Sequence, residues 1–226
     1  MVLEFQNNVP LSKQFDDLYF SRHGGWAEKD FVFVQANNLL GRFATATQFT
    51  IAELGFGTGL SFLATLAAWQ KNASADATLD FYSIEFYPLN KADMAAAFAA
   101  QQVPEDLVAM LLQQWPNEAP TNDFTLSLGR VTLHLLVGDV TVKLLQLPSP
   151  IHAWFLDGFS PAKNPAMWGE AVWQSLQTKS ATDATASTYS CALVVREGLA
   201  SAGFEWQKVK GFGYKDGMIS AIKKEA

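Results

Sequence analysis

Apolar residues along the chain gather in two alternating patterns. Short runs rich in β-branched and aromatic side chains read as strands, and stretches with apolar positions at helical spacing read as helices. The first such pair is Phe49-Thr50-Ile51-Ala52, within a strand over 48–54, and Leu60 to Trp69, within a helix over 59–70. A polar turn at 71–76 leads to a second strand over 79–85. Helices follow over 92–102 and 104–115, the latter with Pro104 in its first turn. After a solvated loop at 116–123 come a strand over 131–137, a helix over 141–147, and a buried strand at 153–156. A helix at 168–176, a strand at 184–189 and a helix at 191–202 continue the alternation. The pairs 204–208 and 218–222 close the sheet, one of them antiparallel. This order predicts an α/β fold with seven strands and helices on both faces. Residues 1–46 form an extension expected to pack on that core. Within it, 15–21 and 31–38 either pair as strands or lie across the carboxyl end of the sheet, and periodicity leaves both open.

The organising stretch is Glu53-Leu54-Gly55-Phe56-Gly57-Thr58-Gly59, where a strand breaks into alternating glycines and resumes as a helix. Glycines there permit positive φ and close backbone approach, and the helix start offers unpaired N–H groups. That combination suits a nucleotide. In a dinucleotide-type G-x-G-x-x-G turn the third glycine would fall at position 60, which is Leu60, so the strict pattern fails. A turn that merely packs a helix on a strand remains the alternative. Glu85, at the end of the second strand, is placed to accept hydrogen bonds from ribose hydroxyls; its alternative is an acid ahead of the helix that begins near Asn90. Asp139 follows the third strand and is either a ligand contact or a helix N-cap, roles that are compatible. Asp157 is delivered to the carboxyl edge by the buried strand before it. The Gly/Pro-rich loop Gly158 to Trp168 then crosses the same end of the sheet.

Composition narrows the picture. At 226 residues and 24.8 kDa the chain suits one α/β domain spanning 1–226, large enough to bury roughly 70% of its unfolded surface. The net charge of −6 and pI near 5.0 argue against a protein that coats nucleic acid through bulk charge, while a local basic patch stays open. Cys191, the single cysteine, has no internal disulfide partner and reads as an inert small residue. The start, Met-Val-Leu-Glu-Phe-Gln-Asn-Asn, lacks the regions of a signal peptide, and no apolar run approaches the roughly 20 residues of a membrane span. A soluble, cytoplasmic protein is expected. His23, His134 and His152 show no metal-ligand spacing, so no metal is expected. Gly158 to Ala162 lacks the final glycine of a nucleophile elbow.

The segments ELGFGTGLSFL, FYSIEFYPL, LLVGDV, AWFLDGFSPAKNPAMW and VKGFGYKDGM, with DDLYFSR and FVFVQANNL ahead of them, span nearly the whole chain. They resemble the consecutive motifs of the tRNA 5-methylaminomethyl-2-thiouridine methyltransferase family, the amino-terminal domain of bifunctional MnmC. The resemblance implies a class I S-adenosylmethionine-dependent methyltransferase with a Rossmann-like seven-stranded sheet. In the bifunctional proteins a flavin-dependent oxidoreductase follows; its absence here implies a stand-alone methyltransferase without FAD. Carried over by motif, Glu53, Gly55, Gly57, Thr58 and Gly59 cradle the methionine part of S-adenosylmethionine, Glu85 holds the ribose and Asp139 the adenine. Asp157 faces the acceptor amine, and Lys163, Asn164 and Pro165 shape the acceptor loop. The implied substrate is the primary amine of 5-aminomethyl-2-thiouridine at the wobble position in the tRNA anticodon loop, with Phe159 and Trp168 expected to stack on the base. The chain departs from the family's basic pattern at Arg196-Glu197 and at Tyr214-Lys215-Asp216-Gly217. From Arg196 to Ala226 it still carries six basic residues against four acids, and Lys208, Lys210 and Lys215 are the expected phosphate contacts. An N-methyltransferase acting on a small-molecule or protein amine, and a non-catalytic module binding tRNA or a partner, are the competing readings.

Overall fold

The computed structural model describes residues 3–7 and 9–224; Met1, Val2 and Asn8 of the amino-terminal segment, and Glu225 among the carboxyl-terminal acids, lie outside the described residues. Eleven strands and eight α-helices alternate along it. The strands are β1 (Glu4–Gln6), β2 (Val9–Ser12), β3 (Asp17–Leu18), β4 (Gln48–Leu54), β5 (Thr78–Glu85), β6 (Phe124–Leu128), β7 (Val131–Val137), β8 (Ile151–Leu156), β9 (Ser180–Thr188), β10 (Phe204–Val209) and β11 (Met218–Lys223). The helices are α1 (Gly25–Lys29), α2 (Leu39–Phe43), α3 (Leu60–Asn72), α4 (Lys91–Ala99), α5 (Glu105–Gln114), α6 (Val140–Lys143), α7 (Glu170–Lys179) and α8 (Leu193–Ser201).

The main sheet runs β10-β11-β9-β8-β4-β5-β7-β6, and β1-β2-β3 form a small separate sheet. Strands β9, β8, β4, β5 and β7 are parallel, while β11 pairs antiparallel with both β9 and β10. One strand of the closing pair therefore opposes the sheet direction, as the pattern predicts. The sheet has eight strands where seven were expected. The extra one, β6, forms a hairpin on β7 through Gly129-Arg130, with Gly129 at φ +66°. Its Phe-Thr-Leu-Ser-Leu alternation buries only one face, Leu126 and Leu128, so it carries less apolar signal than the interior strands.

Alternation across the sheet explains how both faces are covered. Ile51, Phe81, Ala153 and Phe155 join the core beneath α3, α4 and α5, with Phe62, Leu63, Leu66, Met94 and Leu111. Ala52, Ile84, Trp154 and Leu156 join the opposite core with Val140, Val172, Leu176, Val195 and Leu199 of α6, α7 and α8. The central strand β4 leads to β5 on one side and lies against β8 on the other, so the direction of winding reverses beside it. The crevice at that reversal is where ligands of open α/β sheets bind.

The amino-terminal segment departs from one expectation. Within Phe31 to Asn38, Phe31 to Gln35 belongs to a π-helical stretch at Asp30–Gln35, and 36–38 form a turn with Asn38 at φ +49°. Val32, Phe33 and Val34 are all buried in succession, because the segment is wedged between α3 and the sheet; a strand would present alternate residues to opposite faces. Asn37 fixes it by donating to Ser187 Oγ at 2.7 Å and to the Phe33 carbonyl at 2.8 Å. The 15–21 stretch contributes only the two-residue β3 and otherwise lies across the carboxyl end of the main sheet.

Candidate functional site

A cavity of about 710 Å³ opens at that carboxyl end. This is within the range of small-molecule sites. Its floor is the turn after β4. Gly55, Gly57 and Gly59 all have positive φ, at +93°, +53° and +78°. All three positions are also crowded: a Cβ would lie 3.0 Å from the Asp157 carbonyl oxygen at Gly55, 3.0 Å from the Tyr19 ring at Gly57 and 2.9 Å from the Phe56 ring at Gly59. Gly55 and Gly57 line the cavity together with the buried Thr58. Gly59 lies behind them, heading α3, where its carbonyl accepts from Leu63 N at 3.0 Å.

Glu85 stands beside this turn because β5 runs parallel to β4 in register, Leu54 opposite Ile84. Its Oε2 accepts from Gly57 N at 3.0 Å and its Oε1 from Tyr87 N at 2.8 Å. Burial pushes this carboxyl up, and the backbone N–H bonds from Gly57 and Tyr87 pull it down. Asp139 lines the cavity from the end of β7 and also caps α6, its Oδ1 accepting from Thr141 N at 2.8 Å. The Thr141 hydroxyl and N–H hold its carboxyl below the usual range. Glu53 is fully buried behind the turn and does not line the cavity. Ser83 Oγ donates to its Oε2 at 2.6 Å, while Oε1 is buried without a partner. Burial pushes the Glu53 carboxyl up to about 8, with the charge of Asp157 as the second cause.

Beside the turn, directly after the neighbouring strand β8, Asp157 donates its backbone N–H to Leu54 O at 3.1 Å, which ties it to the glycine turn. Its Oδ2 receives the Lys29 ammonium in direct contact and Ser61 Oγ at 3.2 Å. Burial pushes the Asp157 carboxyl up to about 6, against Lys29, which pulls it down. Lys29 is raised as well: burial lowers it, and Asp157 with Glu28 more than offsets that. The neighbouring Glu28 is buried too and accepts from Lys215 Nζ at 2.8 Å and Ser21 N at 2.6 Å. Lys215 in turn lies 4.8 Å from the centre of the Tyr189 ring, and Tyr189 Oη donates to Gly158 O at 2.8 Å. Amino-terminal helix, carboxyl-terminal loop and the loop after β8 therefore meet around Asp157.

The loop residues singled out by sequence divide. Phe159 lines the cavity with Phe15 and Tyr19, at ring separations of 4.8 and 5.4 Å. Asn164 lines it also. Trp168 does not: it is 3% exposed, packs into the core under α7, and donates from its indole N–H to Phe159 O at 2.9 Å. Its ring offers no face to a base, so the expected stacking falls to Phe159 alone. Lys163 and Pro165 are exposed outside the cavity lining, and Lys163 contacts Asp16 and Asp17 on the amino-terminal segment. Sequence reading missed Lys29, Glu28 and Tyr19. The signal for the first two was a charged cluster, Glu28-Lys29-Asp30, set directly before an apolar run.

A parallel sheet with a winding reversal, a glycine turn and acids after successive strands defines the architecture of the class I methyltransferases. Residues 102–224 match the family model described as an S-adenosyl-L-methionine-dependent methyltransferase. The tRNA 5-methylaminomethyl-2-thiouridine biosynthesis bifunctional protein MnmC of Nitrosospira multiformis is 42% identical over 222 residues, covering 96% of this chain and 36% of that protein. The protein of the same name from Methylobacillus flagellatus is 43% identical over 220 residues, covering 96% of this chain and 34% of its own length. The chain thus spans about a third of the length of the curated relatives it matches. Among solved structures, MNMC2 from Aquifex aeolicus shares the fold with a TM-score of 0.80, at 22% identity over 96% of this chain and 68% of that one. The chain belongs to the S-adenosyl-L-methionine-dependent methyltransferase family. Among the described residues no helix is long and apolar enough to cross a membrane, and no cluster of His, Cys, Asp and Glu could hold a metal ion.

Proposed function

We propose that this chain transfers a methyl group from S-adenosylmethionine to the primary amine of 5-aminomethyl-2-thiouridine at the tRNA wobble position, giving 5-methylaminomethyl-2-thiouridine. The observation that carries the reading is the identity of 42% across 96% of the chain to proteins named for that biosynthesis. It is supported by a cavity lined both by a nucleotide-type turn and by a buried acid, Asp157, beside it.

The residues present fit the cofactor. Gly55 and Gly57 bring backbone to the cavity at positive φ where a Cβ would crowd its neighbours, and Leu60 and Ser61 at the start of α3 line it, the kind of helix start that suits an anionic group. In this reading Gly55, Gly57 and Thr58 hold the amino-acid part, with Gly59 starting the helix and Glu53 buffering the charge behind the turn. Glu85 takes the ribose hydroxyls and Asp139 the adenine. When bound, the cofactor supplies an electrophilic methyl group on a sulfonium. The chain's residues then have three tasks: exclude water, seat the base, and hold the acceptor nitrogen in line. A wobble base lies in a single-stranded loop, so it can enter without breaking a pair. Phe15, Tyr19 and Phe159 form the aromatic wall that receives it. Asp157 fixes the nitrogen in line by accepting a hydrogen bond from it and can take up its excess proton after transfer. Asn164 borders this end, and Lys163 and Pro165 act by setting the loop.

The test is mass spectrometry of tRNA nucleosides from cells with and without the gene. Loss of 5-methylaminomethyl-2-thiouridine with accumulation of its unmethylated precursor is expected. An unchanged nucleoside profile contradicts the substrate.

A further inference from the structure

A buried carboxylate poses a difficulty for methylation of an alkylamine. The nitrogen attacks only as the neutral amine, yet a lone carboxylate beside it attracts the ammonium and holds its proton. The structure carries a feature that removes this conflict. Lys29, on the last turn of α1, reaches across to Asp157 Oδ2, and both side chains are enclosed, at 8% and 7% exposure. We propose that Lys29 is a positioning residue that neutralises Asp157 and thereby keeps the acceptor nitrogen in its reactive, unprotonated form. This rests on the amine-methylating reading above.

The surroundings support a balanced site. The other buried acid of α1, Glu28, has its own partner in Lys215. Asp17 accepts from Ser160 N at 3.3 Å and lies 3.7 Å from Lys163, and Tyr189 is a neutral donor to Gly158. From β4, Glu53 faces the pair with its carboxyl pushed toward the protonated form by burial, and from α3 Ser61 contributes a hydroxyl. Lys29 Nζ also lies 5.4 Å from the centre of the Phe33 ring, which favours its charged state. With Glu28 and Asp17 each paired to a lysine and Glu53 pushed toward its neutral form, removal of Lys29 leaves one more unmatched negative charge, that of Asp157, for the acceptor to neutralise as an ammonium. With Lys29 present, Asp157 can still accept a hydrogen bond from a neutral N–H. In the transfer, the nitrogen lone pair forms the new N–C bond as the C–S bond breaks, its electron pair remaining on sulfur. The excess proton of the resulting secondary ammonium leaves to Asp157 or to water.

The experiment uses an anticodon stem–loop RNA carrying 5-aminomethyl-2-thiouridine with a ¹³C label in the aminomethyl carbon. It is bound to the full chain with S-adenosylhomocysteine in the cofactor site. The ¹³C shift follows protonation of the bound amine directly. In the parent protein the midpoint is expected below that of the free RNA. Lys29→Met should raise it by about one to two pH units, the effect of a unit charge a few ångströms away in a protein interior. The pH–rate profile of methylation should move to higher pH by the same amount, and Lys29→Arg should stay near the parent in both. A parent midpoint at or above that of the free RNA overturns the proposal, even if Lys29→Met does not fold. So does a midpoint equal in parent and Lys29→Met. Failure of the parent to bind or methylate the RNA overturns the substrate reading and this proposal with it; normal methylation with an unmoved midpoint removes the role of Lys29 alone.

Discussion

The Glu85 carboxylate accepts the Gly57 backbone N–H at 3.0 Å, so the acid that ends β5 holds the turn after β4 in place. Its second oxygen is occupied by Tyr87 N at 2.8 Å. Because both oxygens face N–H donors, an amide cannot replace the acid: one of its ends would present a donor to a donor. Glu85→Gln should therefore weaken S-adenosylmethionine binding nearly as much as Glu85→Ala, by about one to two decades, corresponding to roughly 1.5–3 kcal/mol for bonds to a charged acceptor. Calorimetric titration of the three proteins decides this. Parental affinity in the Gln variant would remove Glu85 from the cofactor wall.

Glu53 makes stability depend on pH. Its folded carboxyl is raised to about 8, whereas in an unfolded chain it titrates near ~4.3. The fold thus prefers the protonated form. The stability this contributes is complete below the unfolded value and is lost as pH rises through about 8. Glu53→Gln cannot ionise, so its urea-unfolding free energy should fall between about pH 5 and about pH 9 by roughly 1–3 kcal/mol less than that of the parent, measured without cofactor. Parallel pH dependences for the two proteins would show that Glu53 is not held protonated.

The carboxyl-terminal lysines separate by environment. Lys215 is engaged with Glu28 and Tyr189 at the cavity, while Lys208 and Lys210 are exposed. If tRNA is the substrate, Lys208→Gln with Lys210→Gln should flatten the slope of log affinity against log salt by roughly 0.7–0.9 for each phosphate that is no longer neutralised. Glutamine keeps the first carbons of the Lys208 stem, which packs over Gly217. Lys215→Ala should weaken binding without changing that slope. Filter binding across a salt series tests it, and the reverse pattern would place the phosphate-binding lysine at the cavity mouth.

Much of this was legible in the chain because it is local. The strand-turn-helix at 48–72 and the acids at the ends of successive strands are written in contiguous residues, and the alternation of strand and helix marks a largely parallel α/β sheet with helices on both faces. What depends on distant contacts was not. Phe31 to Asn38 has the composition of a strand, but the space between α3 and β9 admits a helix, and tertiary packing prevailed. Lys29 lies between the two stretches whose structure periodicity left open, so nothing in the sequence paired it with Asp157 across 128 residues. Trp168 carries the composition of a stacking residue, and only the packing under α7 shows that its ring faces the core.

The central claim is methyl transfer to an amine held at Asp157. It is tested most directly in a single turnover with the purified chain, S-adenosylmethionine bearing a deuterated methyl group, and tRNA bearing 5-aminomethyl-2-thiouridine, read by nucleoside mass spectrometry. The deuterated methyl should appear in 5-methylaminomethyl-2-thiouridine. Asp157→Asn, with unchanged cofactor affinity, should slow its appearance by roughly 10²–10⁴-fold, the range for a positioned acid or base. No label in that nucleoside from the parent protein, or an equal rate from Asp157→Asn, would contradict the account.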